Sequence, residues 1–467
     1  MPDSPKKGFG LVRQLGLFDS IMVMVGIIIG SGIFLTSGIM AKTLPSAGWI
    51  LLAWVVGGLL TMAGALTYAE LGAALPEAGG QYVYLREAYG PMAGFLFGWI
   101  LFLVYMTGGI AGLALAFAEY FGYFFPALSI QNTLISTNFH WFGLDLPVTL
   151  SAGQLIGVGV IALLSVVNFL GVVFGKTVQN LLTVLKIGIL LVIISFGFTL
   201  GKGHGFSLQL RGASLEGGSL LMGFGVALVA VIWAYDGWNN VNFVAGEIKN
   251  PRRNLPLALI LGTLLVTVLY VLINIIYFYA LPFGETVGVV RIAEKATSAL
   301  FGTSTGALIS AAVMVSVFGS LNGSILTGPR VYYAMARDGL FFRKVDRIHP
   351  RFHTPGFAIA IQALWASFLT LIGTFEQIFT FAMFMAVLFW VAAAAAVFTL
   401  RKTRPDLPRP YKTWGYPVVP LVFILASSGI LLNTLIERPV EALAGIGLTL
   451  AGIPVYFFWR NKNRKPE

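Results

Sequence analysis

Apolar residues along this chain are concentrated in long stretches that short polar segments separate. A helix needs roughly 20 apolar residues to cross a bilayer, and twelve windows of the sequence reach that length. Strand-like alternation is absent from them, so the backbone hydrogen bonds inside the bilayer must form within helices. The pattern predicts an all-α integral membrane protein with twelve transmembrane spans, at residues 17–41, 47–73, 92–123, 151–174, 180–200, 218–245, 255–282, 303–334, 356–373, 377–400, 416–434 and 439–459.

Glycine-rich breaks interrupt two of these spans, the first and the sixth. The first break reads Gly30-Ser31-Gly32-Ile33-Phe34, and the second reads Trp233-Ala234-Tyr235-Asp236-Gly237-Trp238. Paired interruptions of this kind, at corresponding positions of two repeats, indicate a transporter with its substrate site near the bilayer midplane. We therefore expect broken helices one and six to meet at the centre of the membrane.

The positions of the two breaks also predict the organisation of the chain. Spans one to five, within residues 1–200, and spans six to ten, within residues 201–402, are predicted to form two repeats. Because each repeat has an odd number of helices, the second inserts upside down relative to the first, which makes a five-plus-five inverted repeat. Residues 403–467 then hold spans eleven and twelve and a cytoplasmic C-terminal segment.

Composition and charge agree with a membrane protein. The chain is 57% hydrophobic and only 10% charged, which excludes a soluble enzyme with a single core. Of its 30 basic residues, 23 fall in loops on one side of the predicted topology, so the net charge of +11 reflects the positive-inside rule rather than nucleic-acid binding. We expect a multi-pass protein of the plasma or inner membrane with both termini in the cytoplasm. The other seven basic residues are Lys186, within span five, and six in segments assigned to the outside, namely Lys42, Lys202, Arg211, Arg291, Lys295 and Arg438.

The first break offers two kinds of backbone group to a ligand. A second half-helix that begins here presents the amides of about Ser31, Gly32 and Ile33 at the positive end of a helix dipole, which suits a carboxylate. The first half-helix ends beside it, so the carbonyls of about Ile27 and Ile28 suit an ammonium group. Donors and acceptors this close together match an α-amino acid better than a sugar or a single ion. The alternative is that Gly26-x-x-x-Gly30 is only a helix-packing motif.

Three further side chains carry candidate functions. An intramembrane carboxylate is costly, so Asp236 is expected to serve the site, although it also fits a helix cap. Trp233 is a candidate gate over a bound ligand, or a packing residue. Lys186 is a candidate coupling residue, a fixed cation beside helix one that replaces sodium or titrates during transport. Its alternative is a lysine that snorkels to the cytoplasmic surface.

Enzyme and partner signatures are missing from the sequence. The four histidines are scattered, and no metal-binding or acid–base cluster is visible, so we expect neither an enzyme nor a cofactor or metal site. The chain has no cysteine, so no disulfide-linked partner is expected. The sequence leaves the oligomeric state open.

Several motifs together resemble those of the amino acid-polyamine-organocation superfamily, most closely its L-type amino acid transporter branch. They occur in the family's order over nearly the whole chain: Gly30 to Phe34, Gly79-Gly80 with Tyr82 and Tyr84, Ala234 to Trp238, then Glu247, Asn250, Pro251, Leu255, Pro256 and Asn322. The resemblance implies the LeuT-type inverted-repeat fold, in which broken helices form the substrate site.

The resemblance also implies roles for single residues. The amides of Ser31, Gly32 and Ile33 would hold the substrate carboxylate, and the carbonyls of Ile28 and Trp233 its ammonium group. Trp233 stands at the position of the family's aromatic gate. Lys186 matches a lysine that stands where sodium-coupled relatives bind an ion, which implies sodium independence.

These observations predict an amino acid transporter that works by alternating access, by sodium-independent antiport or by proton-coupled uptake. The predicted substrate site consists of residues from both breaks: Ile28, Gly30, Ser31, Gly32, Ile33, Trp233, Ala234, Asp236 and Gly237. Two alternatives stay open. One is an exchanger of cationic amino acids or polyamines that uses Asp236, and the other is an amino acid sensor or channel that does not exchange its ligand.

Overall fold

The computed structural model of this protein describes residues 10–141, 144–201, 203–204, 210, 220–372 and 375–463. Predictions for the two chain ends, and for Lys202, Arg211 and most of the segment between spans five and six, fall outside these residues. The described part is almost entirely helical.

Among the residues that the structure describes, the first half of the chain forms eight α-helices, and a π-helix at Leu101–Tyr105 joins two of them. A two-stranded antiparallel hairpin lies between the sixth and seventh helices, with β1 at Thr133–Trp141 and β2 at Leu144–Ser151. The helices are α1 (Leu17–Ile28), α2 (Gly32–Met40), α3 (Ala47–Ala74), α4 (Gln81–Tyr89), α5 (Pro91–Ile100), α6 (Met106–Phe124), α7 (Ala152–Phe169) and α8 (Val172–Thr199).

The described residues of the second half form eleven more α-helices, with 3-10 helices at Asn240–Glu247, Thr303–Thr305 and Arg343–Asp346. These helices are α9 (Leu220–Ala234), α10 (Pro251–Ala280), α11 (Phe283–Thr286), α12 (Ile292–Phe301), α13 (Gly306–Thr327), α14 (Pro329–Arg337), α15 (Gly356–Ile372), α16 (Phe375–Thr403), α17 (Val418–Glu437), α18 (Pro439–Leu450) and α19 (Gly452–Asn463).

Long apolar helices make this a multi-pass membrane protein. Among the described residues, nine helices or helix chains are long and apolar enough to cross a bilayer, and ten if the bent pair α1–α2 counts as one span. Two shorter apolar helices, α9 and α15, coincide with predicted spans six and nine. The helical membrane class is confirmed, whereas the count of twelve crossings stays a prediction.

Helix α1 lies at the centre of the bundle, where it packs against α8, α10 and α13. Helix α3 runs along α10 and also contacts α9 and α17. Its sequence is rich in glycine and alanine, and small residues let helices in a membrane approach closely. The elements that flank both sequence breaks are therefore held from several sides.

A buried carboxylate ties the last helices to this bundle. Glu70, near the end of α3, accepts hydrogen bonds from Arg401 Nε at 2.8 Å and Arg401 Nη2 at 2.7 Å. The backbone amide of Thr413 donates to the same carboxylate at 2.7 Å. A bidentate pair with a third donor satisfies the buried charge, so this contact fixes the chain between α16 and α17 against α3.

The structure differs from the predicted elements at the start of α8, in the segment before α7 and at the end of span six. Helix α8 begins at Val172, eight residues before the predicted span, because its first turns carry polar side chains that face α1: Lys176 and Asn180 donate to Asp19 at 2.8 and 2.7 Å. The segment from residue 126 to 150 lies between predicted spans three and four, and the hairpin forms there. Its threonines and aromatic residues favour strands, but the run is too short for a hydropathy window to show it.

Candidate functional site

The first break separates α1 from α2, which are bent by 41° relative to each other. Residues 29–31 lie between the helices, and the amide of Gly30 donates to the carbonyl of Ile28 at 2.7 Å. The first amides of an α-helix have no acceptor within it, so Gly32 and Ile33 begin α2 with donors that need a partner. The end of α1 and the start of α2 thus bring opposite partial charges together.

The second break follows Ala234, where α9 ends and residues 235–239 form turns before the 3-10 helix. The sequence predicted an apolar span to residue 245, but the chain does not return to an α-helix there. Gly237 has a φ of +96°, and a Cβ built on it would lie 2.3 Å from a side-chain carbon of Ile27. A side chain at this position would therefore clash with α1 as well as strain the backbone.

The two breaks touch each other directly. A Cβ built on Gly32 would lie 2.9 Å from the Cβ of Ala234, so only glycine permits this approach. Tyr270 of α10 bridges the same region, because its hydroxyl lies 2.9 Å from the carbonyl oxygen of Ile28 and 3.1 Å from that of Ala234. Sequence analysis did not identify Tyr270, since nothing in its local pattern shows that it reaches both helix ends.

The substitution Tyr270→Phe is expected to lower exchange of amino acids about tenfold, because the last carbonyls of α1 and α9 lose a shared donor whose removal costs about 1–3 kcal/mol. The measurement is the initial rate of labelled amino acid exchange in proteoliposomes. Tyr277→Phe, on the same helix, is the matched control: the Tyr277 hydroxyl is buried and has no hydrogen-bond partner among the described residues. Equal rates for the two variants would contradict the role given to Tyr270.

A small cavity of about 90 Å³ lies between the two breaks, and we call it the central cavity. Helix α6 closes it on one side with Tyr105 at the end of the π-helix, Met106 and Gly109. It is lined by Ile27, Ile28, Gly30, Ser31, Gly32, Tyr105, Met106, Gly109, Gly112, Leu113, Trp233, Ala234, Asp236, Asn240 and Ser324.

The cavity gathers seven of the nine residues that the sequence predicted for a substrate site. They are Ile28, Gly30, Ser31, Gly32, Trp233, Ala234 and Asp236. Ile33 and Gly237 do not line it: Ile33 is fully buried, and Gly237 packs against Ile27. The wall from α6, together with Asn240 and Ser324, could not be assigned from the sequence, because hydropathy does not show which face of a span points at a cavity.

Asp236 is held in the cavity wall by two hydrogen bonds to the same oxygen. The Tyr105 hydroxyl donates to Asp236 Oδ1 at 2.7 Å, and the amide of Gly237 donates to it at 2.8 Å. Tyr105 ends the π-helix, and such local π turns occur often at functional sites. Asp236 therefore accepts from the turn after α9 and also borders the central cavity.

Lys186 lies at the end of α1 rather than at the membrane surface. Its Nζ donates to the carbonyls of Gly26 at 2.6 Å and Ile29 at 2.8 Å, and to Ser320 Oγ at 3.1 Å. It stands fourteen residues into α8, about 21 Å from the helix start at 1.5 Å per residue. The snorkelling alternative is therefore wrong. The hydroxyl of Ser316 also donates to the carbonyl of Ile29 at 2.9 Å.

Several contacts shut one end of the bundle, which we call the closed side and define by α4, α14 and the segment from residue 247 to 251. Arg330 and Glu247 form a fully buried bidentate pair at 3.0 Å. The carbonyl of Glu247 accepts from the amides of Gln14 and Leu15 at 2.8 and 2.9 Å. Nearer the surface, Asp338 accepts from Tyr82 and Arg86 at 2.7 and 2.6 Å.

The carboxylate of Asp338 also affects the pKa of Arg86 at this surface. Burial alone would lower the pKa of Arg86 in α4 more than any other single effect. The hydrogen bond and charge of Asp338, together with Glu77, outweigh it and raise that pKa above the usual value. The contact between Arg86 and Asp338 therefore joins α4 to the residue after α14 as an ion pair.

A second cavity of about 310 Å³ lies on the opposite end, toward the hairpin, and we call it the outer cavity. It shares Ser31 and Trp233 with the central cavity. Ser31 and Trp233 therefore border both spaces.

Comparison with known proteins assigns the fold family. Residues 15–455 match the family model described as amino acid permease. The chain is 37% identical over 454 residues to the serine/threonine exchanger SteT of Bacillus subtilis (strain 168), covering 96% of this chain and 97% of the exchanger.

Two mammalian relatives match a similar length of this chain at lower identity. The chain is 32% identical over 477 residues to the b(0,+)-type amino acid transporter 1 of Homo sapiens, covering 98% of this chain and 92% of that protein. It is also 32% identical over 460 residues to the large neutral amino acids transporter small subunit 2 of Mus musculus, covering 97% of this chain and 83% of that protein. The match to the amino acid-polyamine-organocation superfamily and its L-type branch is confirmed, and this chain belongs to the amino acid permease family.

Proposed function

We propose that this permease is a sodium-independent exchanger of small neutral amino acids that binds its substrate in the central cavity. The observation that carries the proposal is the meeting of two interrupted helices around one small cavity. Unwound backbone is stable in a membrane only where protein, water or ligand satisfies it. The prediction of an amino acid transporter is confirmed by the family, and the residue roles below are our proposal.

The backbone supplies the recognition of the α-amino acid. The carboxylate binds at the start of α2, where Ser31 and Gly32 border the cavity and the helix dipole is positive. The ammonium group faces the carbonyls at the ends of α1 and α9, including those of Ile28 and Trp233. Ile33 and Gly237 support this arrangement from outside the cavity, through the amide that starts α2 and through the turn after α9.

The size of the cavity favours a small side chain. A water-sized sphere needs about 10–15 Å³, so about 90 Å³ accommodates about six to nine such spheres. This is the number of non-hydrogen atoms in alanine, serine or threonine. One relative is named a serine/threonine exchanger, and the cavity of this chain fits substrates of that size.

Lys186 supports sodium independence. Its ammonium group occupies the space among the carbonyl oxygens of Gly26 and Ile29 and the hydroxyl of Ser320. A small cation would compete with the lysine nitrogen for the same three oxygen atoms. The lysine therefore takes the place that a bound sodium ion would need.

Alternating access accounts for the two ends of the bundle. The outer cavity leads to Trp233, whereas the contacts of Glu247, Arg330 and Asp338 shut the other end. We propose a LeuT-type arrangement of twelve spans, with repeats at residues 1–200 and 201–402, broken helices one and six, and residues 403–467 as an addition. The closed side and both termini face the cytoplasm of the cell membrane, as the distribution of basic residues predicts.

The substitution Asp236→Asn separates neutral from cationic substrates. An asparagine oxygen still accepts from Tyr105 and from the amide of Gly237, so exchange of serine is expected to fall only about fivefold, the difference between a charged and a neutral acceptor. Initial rates of labelled serine and arginine exchange test it. Loss of arginine exchange with full serine exchange would instead support the cationic alternative, which the named relatives do not favour.

Uptake into proteoliposomes of the purified protein tests the proposed function. Vesicles are loaded with unlabelled serine or left empty, at equal pH on both sides and without sodium, and labelled serine, alanine or threonine is added outside. We expect rapid uptake only into loaded vesicles and no increase when sodium is added. Equal uptake into empty vesicles would show uniport or proton coupling instead, and no uptake under any loading would overturn the amino acid substrate.

A further inference from the structure

The outer cavity has a size and a charged lining that a simple passage for substrate would not need. It is more than three times as large as the central cavity, at about 310 against 90 Å³. It is enclosed by α2, α6, both strands of the hairpin and the segment before α12. A plain channel for substrate needs no charged side chains, yet Glu119 and Arg291 stand in this wall.

These two side chains face each other without closing a tight ion pair. Arg291 Nη2 lies 3.7 Å from Glu119 Oε1, and Arg291 Nη1 lies 3.5 Å from Glu294 Oε2. Charge-assisted hydrogen bonds normally measure about 2.7–2.9 Å, so among the described residues the guanidinium makes electrostatic contacts but no close hydrogen bond. Its donors and the Glu119 carboxylate are therefore available to a ligand that binds across both groups.

The surroundings hold the guanidinium in place from the other side. The Arg291 guanidinium carbon lies 5.2 Å from the ring centroid of Tyr120, a cation–π distance. Glu294 Oε2 is buried and has no hydrogen-bond partner among the described residues. Two carboxylates thus surround one guanidinium, which leaves an excess of negative charge that favours a ligand with an ammonium group.

An α-amino acid matches this pair of charges. Its carboxylate and ammonium group are separated by a single carbon, which suits a site where a guanidinium nitrogen and a carboxylate oxygen are 3.7 Å apart. A planar guanidinium binds a carboxylate through two parallel hydrogen bonds. The rest of the wall includes apolar side chains that would accept the substrate side chain, namely Leu35, Leu115, Ala116, Ile130 and Val290.

We propose that the outer cavity is a second α-amino acid site, in which Arg291 binds the carboxylate and Glu119 the ammonium group of a substrate that waits above Trp233. This inference rests on the proposed function, because both sites take the same class of ligand. Arg291 and Glu119 are partly exposed, at 36% and 50%, and ion pairs in such positions are weak. The outer site therefore binds more weakly than the central one and fills only at higher substrate concentration.

Equilibrium binding of labelled serine to the full chain in lipid nanodiscs tests the proposal. We expect the unchanged protein to bind two molecules per chain, one tightly and one weakly. Arg291→Gln and Glu119→Gln each keep the tight site and weaken the other at least about fivefold. Lys295→Gln is the matched control, since Lys295 lies in α12 one turn after Arg291, does not line the cavity and donates to the carbonyl of Glu285; it is expected to keep both sites.

A variant of the central cavity separates the two hypotheses. Gly109→Leu, which fills that cavity, is expected to leave only the weak site, and its combination with Arg291→Gln to leave neither. One site in the unchanged protein, lost entirely in Gly109→Leu, would overturn the outer site and leave the proposed function intact. No binding to the unchanged protein, or two sites retained in Gly109→Leu, would instead overturn the central site on which the proposed function depends.

Discussion

Replacement of Gly109 by leucine is expected to abolish amino acid exchange, with a fall of at least about 100-fold. Gly109 lines the central cavity from α6, and a Cβ built on it meets no other atom within 4 Å. The leucine side chain therefore extends into the space that the substrate needs, without a collision with the backbone. Leucine is also favoured over glycine in a helix by about 0.5–1 kcal/mol, so folding is expected to be preserved.

Gly159→Leu is the matched control for this change. Gly159 lies in α7, is exposed on the outside of the bundle, and also has no atom within 4 Å of a built Cβ. It does not line the central cavity, so exchange by this variant is expected to equal that of the unchanged protein. The measurement is the initial rate of labelled serine exchange at equal protein content per vesicle. Normal exchange by Gly109→Leu would show that the substrate binds elsewhere.

Replacement of Lys186 by methionine is expected to reduce exchange about 100-fold. Methionine keeps much of the length of lysine but donates no hydrogen bond, so the carbonyls of Gly26 and Ile29 lose their charged donor. A buried polar group that loses its partner costs about 1–3 kcal/mol, and both carbonyls belong to the end of α1 beside the central cavity. The hydroxyls of Ser316 and Ser320 still reach these oxygens, which limits the loss of folding stability.

Exchange rates of Lys186→Met and Leu185→Met provide the comparison. Leu185 precedes Lys186 in α8 and is 45% exposed on the outside of the bundle, so its replacement introduces the same side chain away from the site. The control is expected to exchange serine at the normal rate. If Lys186→Met were as active as the control, the lysine would be a packing residue, and the account of sodium independence would lose its structural basis.

The sequence predicts the membrane-spanning architecture well, because hydropathy follows directly from the solvent that surrounds a helix. Each predicted window overlaps a helix among the described residues, although span six outruns α9 and span four reaches into α8. The first break is also visible, since Gly30 and Gly32 are unusual inside an apolar stretch. The start of α8 was missed because polar side chains such as Lys176 and Asn180 face α1 rather than lipid.

The site itself was predicted only in part, and for a physical reason. Backbone breaks leave a local signal, which is why seven of nine predicted residues line the cavity. Tyr270 and Tyr105 leave none, because each acts through a contact with a residue far away in the chain, such as Ile28 or Asp236. The π-helix that positions Tyr105 likewise depends on tertiary packing that no single-sequence pattern reveals.

The most direct measurement is a cryo-electron microscopy map of the protein in lipid nanodiscs with saturating serine, compared with a map recorded without it. The account predicts added density in the central cavity, with the carboxylate at the amides of Ser31 and Gly32 and the ammonium group toward the carbonyls that end α1 and α9. Density for serine at another place in the bundle, with the central cavity unchanged between the two maps, would contradict it.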